Sequence, residues 1–219
     1  MSLLAISQQI GQPNAGTKPS WMYEQFDRYL SDLADRPIVL LELGVHTGES
    51  LKVFASFFRK GRVIGVDCED HHVDLSAYRN ASIAFGDQRD GKWLAALAAR
   101  EAPRGLDIVI DDASHRGAWS LVSYRALFPR LNHGGLYIIE DWGTGYVEDW
   151  PDGSRFVAPT VSDKRIASHD FGMVGFIKSL VDETSGRSPR LYAPALHPRA
   201  IEWLHVHESM VVVKKASAA

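Results

Sequence analysis

The sequence has little of several features that mark particular protein classes. It contains one cysteine, Cys68, which excludes an intrachain disulfide and a cysteine-based zinc cluster and favours a reducing compartment. No apolar run approaches the roughly 18 residues of a membrane span, and the apolar start at 1–6 is too short for a secretory signal. Lys and Arg number 24 against 27 Asp and Glu, so nothing indicates bulk attraction to nucleic acid. We therefore expect a cytoplasmic protein without membrane or nucleic-acid partners.

The length and composition predict one α/β domain. The chain has 219 residues, of which 45% are hydrophobic and 23% charged, enough to build a sizeable core. Residues 1–18 are predicted to be a flexible lead-in, because 7–18 are polar and contain Gly and Pro. Residues 19–219 then form the domain. Within it, 142–166 lack a clear hydrophobic period and are predicted to be a lid or substrate loop.

Apolar runs that predict strands alternate with helical patterns along the chain. The predicted strands are 38–43, 62–67, 82–85, 106–112 and 134–141, and the predicted helices are 21–33, 48–58, 92–100, 119–128 and 169–181. Such alternation indicates βαβ units and a parallel sheet. The last apolar stretch, 201–215, predicts two strands joined by a tight turn, which must be antiparallel. The predicted fold is Rossmann-like α/β, mostly parallel, with a C-terminal antiparallel hairpin.

A glycine motif closes the first predicted strand and indicates a ligand site. It runs Glu42-Leu-Gly44-Val-His46-Thr-Gly48. Glycines allow a sharp turn and a close approach of the backbone to a ligand. The spacing departs from the G-x-G-x-x-G of NAD-dependent oxidoreductases. Glu42 would repel a pyrophosphate but attract the ammonium of a methionine moiety, so S-adenosylmethionine is favoured over a dinucleotide.

Two further carboxylates are candidates for the same cofactor. Asp67 ends the second predicted strand, where a carboxylate can accept hydrogen bonds from both ribose hydroxyls. Asp87 follows the third strand and is predicted to contact the adenine amino group.

Acidic residues also end the fourth and fifth predicted strands. Asp111 and Asp112 close one, and Glu140 and Asp141 close the other. These strands are neighbours in a doubly wound sheet, so the carboxylates should converge and raise one another's pKa unless a cation joins them. Oxygen ligands favour a hard ion, Mg²⁺ first, then Mn²⁺ or Ca²⁺.

His115 follows Asp112 by three residues and is the candidate general base. A neutral imidazole there can take a proton from a substrate hydroxyl whose pKa a metal has lowered. After the acids come Trp142, Tyr146 and Trp150, which are candidates for stacking on a sugar or aromatic substrate.

These motifs together resemble the metal-dependent O-methyltransferases of macrolide sugars, of the macrocin and mycinamicin type, within the class I S-adenosylmethionine-dependent methyltransferases. The resembling blocks are LLELGVHTGESL, GDQRD, DIVIDDASH, LFPRLNHGGLYIIEDWGTGY and MVVVKK. The resemblance implies Mg²⁺ held by Asp112, Glu140 and Asp141, with His115 as base. It also implies S-adenosylmethionine bound by the residues Glu42, Gly44, Asp67, Asp87 and Asp111.

The chain departs from this pattern in two places. Relatives often have Gly-Thr-Asp-Lys before the first helix, where this chain has Gly16-Thr17-Lys18, and a larger polar residue where Gly143 stands. The expected activity is O-methylation of a small-molecule hydroxyl, on a sugar of a glycosylated natural product, in the biosynthesis of such compounds. Alternatives are a catechol-type O-methyltransferase, a cephalosporin-hydroxylase-like protein and a non-catalytic accessory protein. A serine hydrolase is disfavoured because the G-x-S-x-G elbow is missing. The oligomeric state stays open, with a homo-oligomer among the alternatives.

Overall fold

Seven strands form one sheet in the computed structural model, which describes residues 1–10, 18–156, 169–185 and 200–217. The strands are β1 (Val39–Leu43), β2 (Arg62–Asp67), β3 (Ala81–Phe85), β4 (Leu106–Asp111), β5 (Leu131–Glu140), β6 (Ile201–Val206) and β7 (Met210–Lys215). Their order is β3-β2-β1-β4-β5-β7-β6. The first five strands are parallel, and β7 runs antiparallel to both β5 and β6. The predicted fold, including its C-terminal hairpin, is confirmed.

Six α-helices among the described residues cover the two faces of this sheet. They are α1 (Leu3–Ile10), α2 (Ser20–Leu30), α3 (Glu49–Phe57), α4 (Gly91–Glu101), α5 (Gly117–Leu127) and α6 (Gly172–Ser185). Helices α1 to α3 contribute to one hydrophobic core, and α4 to α6 contribute to the other. None of the helices in the described ranges is long and apolar enough to cross a membrane.

Strand pleating decides which core each strand residue joins. Leu40 of β1 and Ile108 of β4 pack with α1 to α3, whereas Leu41 and Val109, one residue later, pack with α4 to α6. Successive side chains of a strand point to opposite faces, and both faces are covered here, so the apolar runs are nearly continuous. The same alternation places Glu42 on the α1–α3 face.

The start of the chain corrects the prediction of a flexible lead-in over 1–18. Residues 3–10 form α1, in which Leu3 and Ile6 are buried against the core. The Asp27 carboxylate of α2 accepts hydrogen bonds from the backbone N–H groups of Leu3 and Leu4, at 2.7 and 3.3 Å. A distant side chain thus satisfies N–H groups that a helix leaves unpaired at its start, which the local sequence does not reveal. Residues 11–17 lie outside the described residues.

The segment after β5 is partly described. Residues 142–146 and 153–155 form short 3₁₀ turns, and 157–166 of the predicted lid lie outside the described residues. Asp152 anchors this segment, because its Oδ2 accepts hydrogen bonds from the N–H groups of Gly117 and Met173, at 2.7 and 2.8 Å. These N–H groups stand at the starts of α5 and α6. Residues 142–156 are therefore tied to two helices, and a lid function for 142–166 stays a prediction.

Candidate active site

A crevice opens where the strand order reverses, between β1 and β4. Chain connections lead away from β1 to β2 on one side and from β4 to β5 on the other, so no crossover helix covers the carboxyl ends of the central strands. A cavity of about 590 Å³ lies there. A second cavity, of about 200 Å³, shares Gly44, Asp67 and Ala113 with the first. The larger cavity contains most of the predicted site residues, namely Gly44, His46, Asp67, Asp112, His115, Glu140 and Asp141.

The glycine motif forms the turn between β1 and α3. Gly44 has φ +87°, and a Cβ on it would lie 2.1 Å from the carbonyl oxygen of Asp112. Gly48 has φ +76° and is packed against Val73 in the same way. Both positions thus need glycine for conformation and for space, so β1 and the end of β4 can approach closely.

Asp67 holds this turn in place. Its Oδ2 accepts hydrogen bonds from the N–H groups of Val45 and His46, at 2.8 and 3.0 Å, and its Oδ1 accepts one from Glu69 at 3.0 Å. Burial alone would raise the pKa of Asp67, but these three N–H bonds lower it below its usual range. The carboxylate is therefore ionised and lines both cavities beside exposed His46.

Asp87 lies at the smaller cavity, whose other lining residues include Cys68, Gln88 and Trp119. Hydrogen bonds from Arg89, at 2.9 and 3.0 Å from its Nε, lower the pKa of Asp87. The structure thus places Asp87 at the wall of the smaller cavity with Arg89 as its partner, and its contact with the adenine amino group stays a prediction.

Asp111 is not among the residues that line the two cavities, and its contact with the cofactor stays a prediction. It is 2% exposed and accepts hydrogen bonds from Gln88 Nε2 at 2.7 Å and from the Tyr137 hydroxyl at 3.2 Å. Strand alternation turns it to the α4–α6 face, together with Val109. Burial raises its pKa to about 6. Asp111 instead supports Gln88, which lines the smaller cavity.

Asp112, His115 and Asp141 converge in the larger cavity. His115 Nε2 lies 3.8 Å from Asp112 Oδ1 and 3.9 Å from Asp141 Oδ2. One ligand atom from each of the three residues fits within 4.8 Å of the others, a spacing that suits a metal ion. His115 and Asp141 both have positive φ, 51° and 52°, and such strained non-glycine backbone is typical of functional sites.

Glu140, the third predicted metal ligand, points instead toward Lys18. The Lys18 ammonium contacts Asp112 and lies 2.7 Å from Glu140 Oε2 and 3.8 Å from Glu42 Oε1. Burial alone would lower the pKa of Lys18, but Asp112, Glu140 and Glu42 raise it well above its usual value. Lys18 is therefore charged. It was not among the site residues that the sequence predicted. The signal was present in the Gly16-Thr17-Lys18 segment, where the resembling enzymes also have lysine.

The two buried glutamates keep unused hydrogen-bonding capacity. Among the described residues, no donor meets hydrogen-bond geometry at Glu42 Oε1, Glu42 Oε2 or Glu140 Oε1. Burial raises the pKa of Glu42 to about 7, against the effects of Lys18 and the Ser50 hydroxyl. Burial also raises the pKa of Glu140 well above its usual range, and Asp112 adds to that rise. Buried polar atoms without partners are rare, which indicates that a ligand completes this cluster.

The three candidate substrate aromatics lie in different places. Trp150 packs edge-on against His115, with ring centroids 5.2 Å apart. Trp142 donates a hydrogen bond from Nε1 to the His207 carbonyl at 2.8 Å and packs against the α4–α6 core. Tyr146 contacts Trp142, Phe156 and His169. Trp150 is therefore next to the predicted base, but none of the three aromatic residues is among those that line the two cavities.

Comparison with known proteins shows similarity to methyltransferases. Residues 41–142 match a family model described as a methyltransferase domain. The chain is 35% identical over 211 residues to demethylmacrocin O-methyltransferase of Streptomyces fradiae, a match that covers 89% of this chain and 48% of that protein. It is 34% identical over 206 residues to mycinamicin VI 2''-O-methyltransferase of Micromonospora griseorubida, with the same two shares.

A solved methyltransferase structure is also similar to this chain. MycE methyltransferase from the mycinamycin biosynthetic pathway, in complex with Mg, SAH and mycinamycin VI, has a TM-score of 0.77 and 31% identity to this chain. The match covers 99% of this chain and 54% of that one, so the chain spans about half the length of these relatives. The resemblance inferred from the motifs is confirmed. Residues 41–142 thus match a methyltransferase domain, and the chain is similar to the macrocin- and mycinamicin-type sugar O-methyltransferases over about half of their length.

Proposed function

We propose that this protein is an S-adenosylmethionine-dependent, Mg²⁺-assisted O-methyltransferase that acts on a sugar hydroxyl of a glycosylated natural product. The observation that carries the proposal is the position of His115, whose Nε2 lies 3.8 and 3.9 Å from two carboxylates in the larger cavity. The acceptor class follows the names of the relatives, which give demethylmacrocin and mycinamicin VI as the compounds that are methylated.

The two cavities suit the parts of S-adenosylmethionine. Glu42 is not among the residues that line the two cavities, but its carboxylate lies 3.8 Å from the Lys18 ammonium, which lines the larger one, and it would attract the ammonium of the methionine moiety. Asp67 lines both cavities, and its carboxylate can accept hydrogen bonds from the ribose hydroxyls. The smaller cavity, with Leu43, Val66 and Trp119 in its wall and Asp87 beside them, suits an adenine ring.

The donor set at the other end suits a hard divalent cation. Asp112 and Asp141 would hold it, with the unpartnered Oε1 of Glu140 as a further oxygen ligand. A bound cation would orient the acceptor hydroxyl and lower its pKa. His115 accepts the hydroxyl proton, and the nearby carboxylates Asp112 and Asp141 stabilise the imidazolium that results. The Trp150 ring packs against His115 and restricts its orientation.

The first experiment is calorimetric titration with S-adenosylhomocysteine, with and without Mg²⁺, followed by transfer of a labelled methyl group to sugar glycosides and catechols. Binding in the micromolar range and transfer to a glycoside are expected. Transfer to catechols alone would replace the sugar acceptor with a catechol. A folded protein that binds no S-adenosylhomocysteine would contradict the methyltransferase proposal.

A matched pair of histidine variants tests the base. His115→Asn should lower kcat by about 10²- to 10⁴-fold and leave S-adenosylhomocysteine affinity unchanged. His72→Asn is the control, because His72 is exposed and also has positive φ, a conformation that asparagine tolerates. Full activity in His115→Asn would rule out the general-base role.

We also propose that the reaction takes place in the cytoplasm. Cys68 is an exposed free thiol, which is compatible with a reducing compartment. Fractionation of the source cells tests this, and recovery of the protein outside the cytoplasmic fraction would contradict it.

A further inference from the structure

Lys18 is a buried cation at the carboxylates that are proposed to hold the metal. It precedes α2 by two residues, and its side chain is 7% exposed. Its ammonium contacts Asp112 and lies 2.7 Å from Glu140 Oε2. Pro19, Trp21 and Met22 follow it along the wall of the larger cavity. The segment before and at the start of α2 is therefore held against the cavity by this ion pair.

The Lys18 ammonium compensates the negative charge of these carboxylates, as a metal ion would. Glu140 is 1% exposed and Glu42 is 0% exposed, and buried carboxylates of this kind need a compensating cation. Lys18 supplies one positive charge and is in contact distance of two of the three predicted metal ligands. Glu140 lies outside the cluster that Asp112, His115 and Asp141 form, and its Oε2 faces the Lys18 ammonium instead.

A divalent cation and the Lys18 ammonium compete for the same oxygens. An ion bound by Asp112 and Glu140 together would stand beside the ammonium that already contacts both, and like charges at such a distance repel strongly in a buried site. Glu140 Oε1 has no hydrogen-bond partner among the described residues, so this carboxylate can exchange one cation for the other.

We propose that Lys18 is an internal substitute for the divalent cation, occupying Asp112 and Glu140 in the metal-free protein and leaving both when the cation binds. Cation loading then moves the Lys18 side chain away from these carboxylates, whereas α2 stays packed in the core through Met22 and Phe26. The inference rests on the metal site of the proposed function, and it assigns to Lys18 the control of that site.

Two measurements on the full chain test this exchange. The first is site-resolved acetylation of lysines, read by mass spectrometry, in EDTA and in saturating Mg²⁺. Labelling of Lys18 should rise with Mg²⁺, whereas Lys60, a surface residue with 66% side-chain exposure, should not change. This measurement uses the wild-type protein and does not depend on the folding of a variant.

The second measurement is Mn²⁺ binding, followed by electron paramagnetic resonance of the free ion. Lys18→Met should bind Mn²⁺ about 10-fold or more tightly than wild type, because the competing charge is gone. Lys60→Met is the matched control and should bind as wild type does. Binding to Lys18→Met alone, with none to wild type, would overturn the exchange, because Lys18 would then block the site and not leave it.

The outcomes separate this inference from the proposed function. Cation binding with unchanged Lys18 labelling and no gain in Lys18→Met would overturn the exchange and make Lys18 a permanent counter-ion. Failure of Mn²⁺ to bind either protein, with S-adenosylhomocysteine still bound, would overturn the exchange and remove the metal, but leave the methyltransferase. Loss of S-adenosylhomocysteine binding in folded wild type would contradict the proposed function itself.

Discussion

Asp141 and Ser209 are joined by two hydrogen bonds between the end of β5 and the turn before β7. The N–H of Asp141 donates to the Ser209 carbonyl at 2.7 Å, and the Ser209 hydroxyl donates to Asp141 Oδ1 at 2.8 Å. Asp141 has a positive φ of 52°, so the pair holds a strained backbone as well as a carboxylate. The C-terminal hairpin therefore supports the candidate metal site.

Ser209→Ala removes the hydroxyl that orients the Asp141 carboxylate. We expect Mg²⁺ affinity to fall by about 10-fold or more, since groups that orient metal ligands have effects of this size. Calorimetry gives the affinity. Ser217→Ala is the control, because the Ser217 hydroxyl donates to the half-buried Glu202 near the end of the same hairpin. Equal Mg²⁺ affinity in the two variants would show that Ser209 does not position the ligand.

Gly44→Ala tests the close approach of the glycine turn to the end of β4. The added Cβ would lie 2.1 Å from the Asp112 carbonyl oxygen, so we expect displacement of Asp112 and a large loss of S-adenosylhomocysteine affinity. Gly134→Ala is the control, because Gly134 also has positive φ but no atom within 4 Å of the added Cβ. The control should lose about 1–2 kcal/mol of stability from conformation alone. Similar affinity and stability in the two variants would contradict the steric argument.

Asp152→Ala should lower the free energy of unfolding. It leaves the buried N–H groups of Gly117 and Met173 without their acceptor, and the expected loss is about 2–4 kcal/mol. Denaturation in urea measures it. Asp149→Ala, an exposed position in the same segment, should change the stability little. A loss in Asp152→Ala no larger than in this control would mean that the two helix starts do not depend on Asp152.

Asp111 predicts a pH dependence of stability. Its pKa is raised to about 6 in the folded protein by burial, so the folded state holds the proton more tightly than the unfolded chain. The contribution of Asp111 to the free energy of unfolding should therefore fall as the pH rises from about 4 to about 6, and stay constant above that. In Asp111→Asn the side chain does not titrate, so the free energy of unfolding should lack this pH-dependent contribution.

The measurement is urea denaturation of wild type and Asp111→Asn between pH 4.5 and 7.5. The free energy of unfolding of Asp111→Asn, relative to that of wild type, should rise by on the order of 2 kcal/mol as the pH rises across this range. Asp35→Asn changes a surface carboxylate, so its free energy of unfolding should depend on pH as that of wild type does. Parallel curves for Asp111→Asn as well would contradict a raised pKa.

Local patterns in the sequence were enough to predict the sheet. The apolar runs at 38–43, 62–67 and 106–112 fall on β1, β2 and β4, because strands buried on both faces are almost continuously apolar. The turn before β7 predicted an antiparallel hairpin, and β6 and β7 form it. The convergence of acids followed from the strand order, since parallel strands end at one edge of the sheet.

Contacts between residues that are far apart in the sequence decided where some of the helices begin. The start of α1 depends on Asp27, and the start of α5 depends on Asp152, which lies 35 residues further along the chain than Gly117. Neither partner is marked by a local pattern, because hydrogen bonds over such separations exist only after the chain has folded.

The sequence by itself determined the fold, the glycine turn and the carboxylates at the ends of β4 and β5, since these depend on periodicity and on strand order. Tertiary structure decided where the carboxylates point: Asp111 faces the α4–α6 core, Glu140 faces Lys18, and Asp141 faces Ser209. The reason is that pleating and long-range charge pairing set the direction of a side chain, whereas the identity of the residue sets only its chemistry.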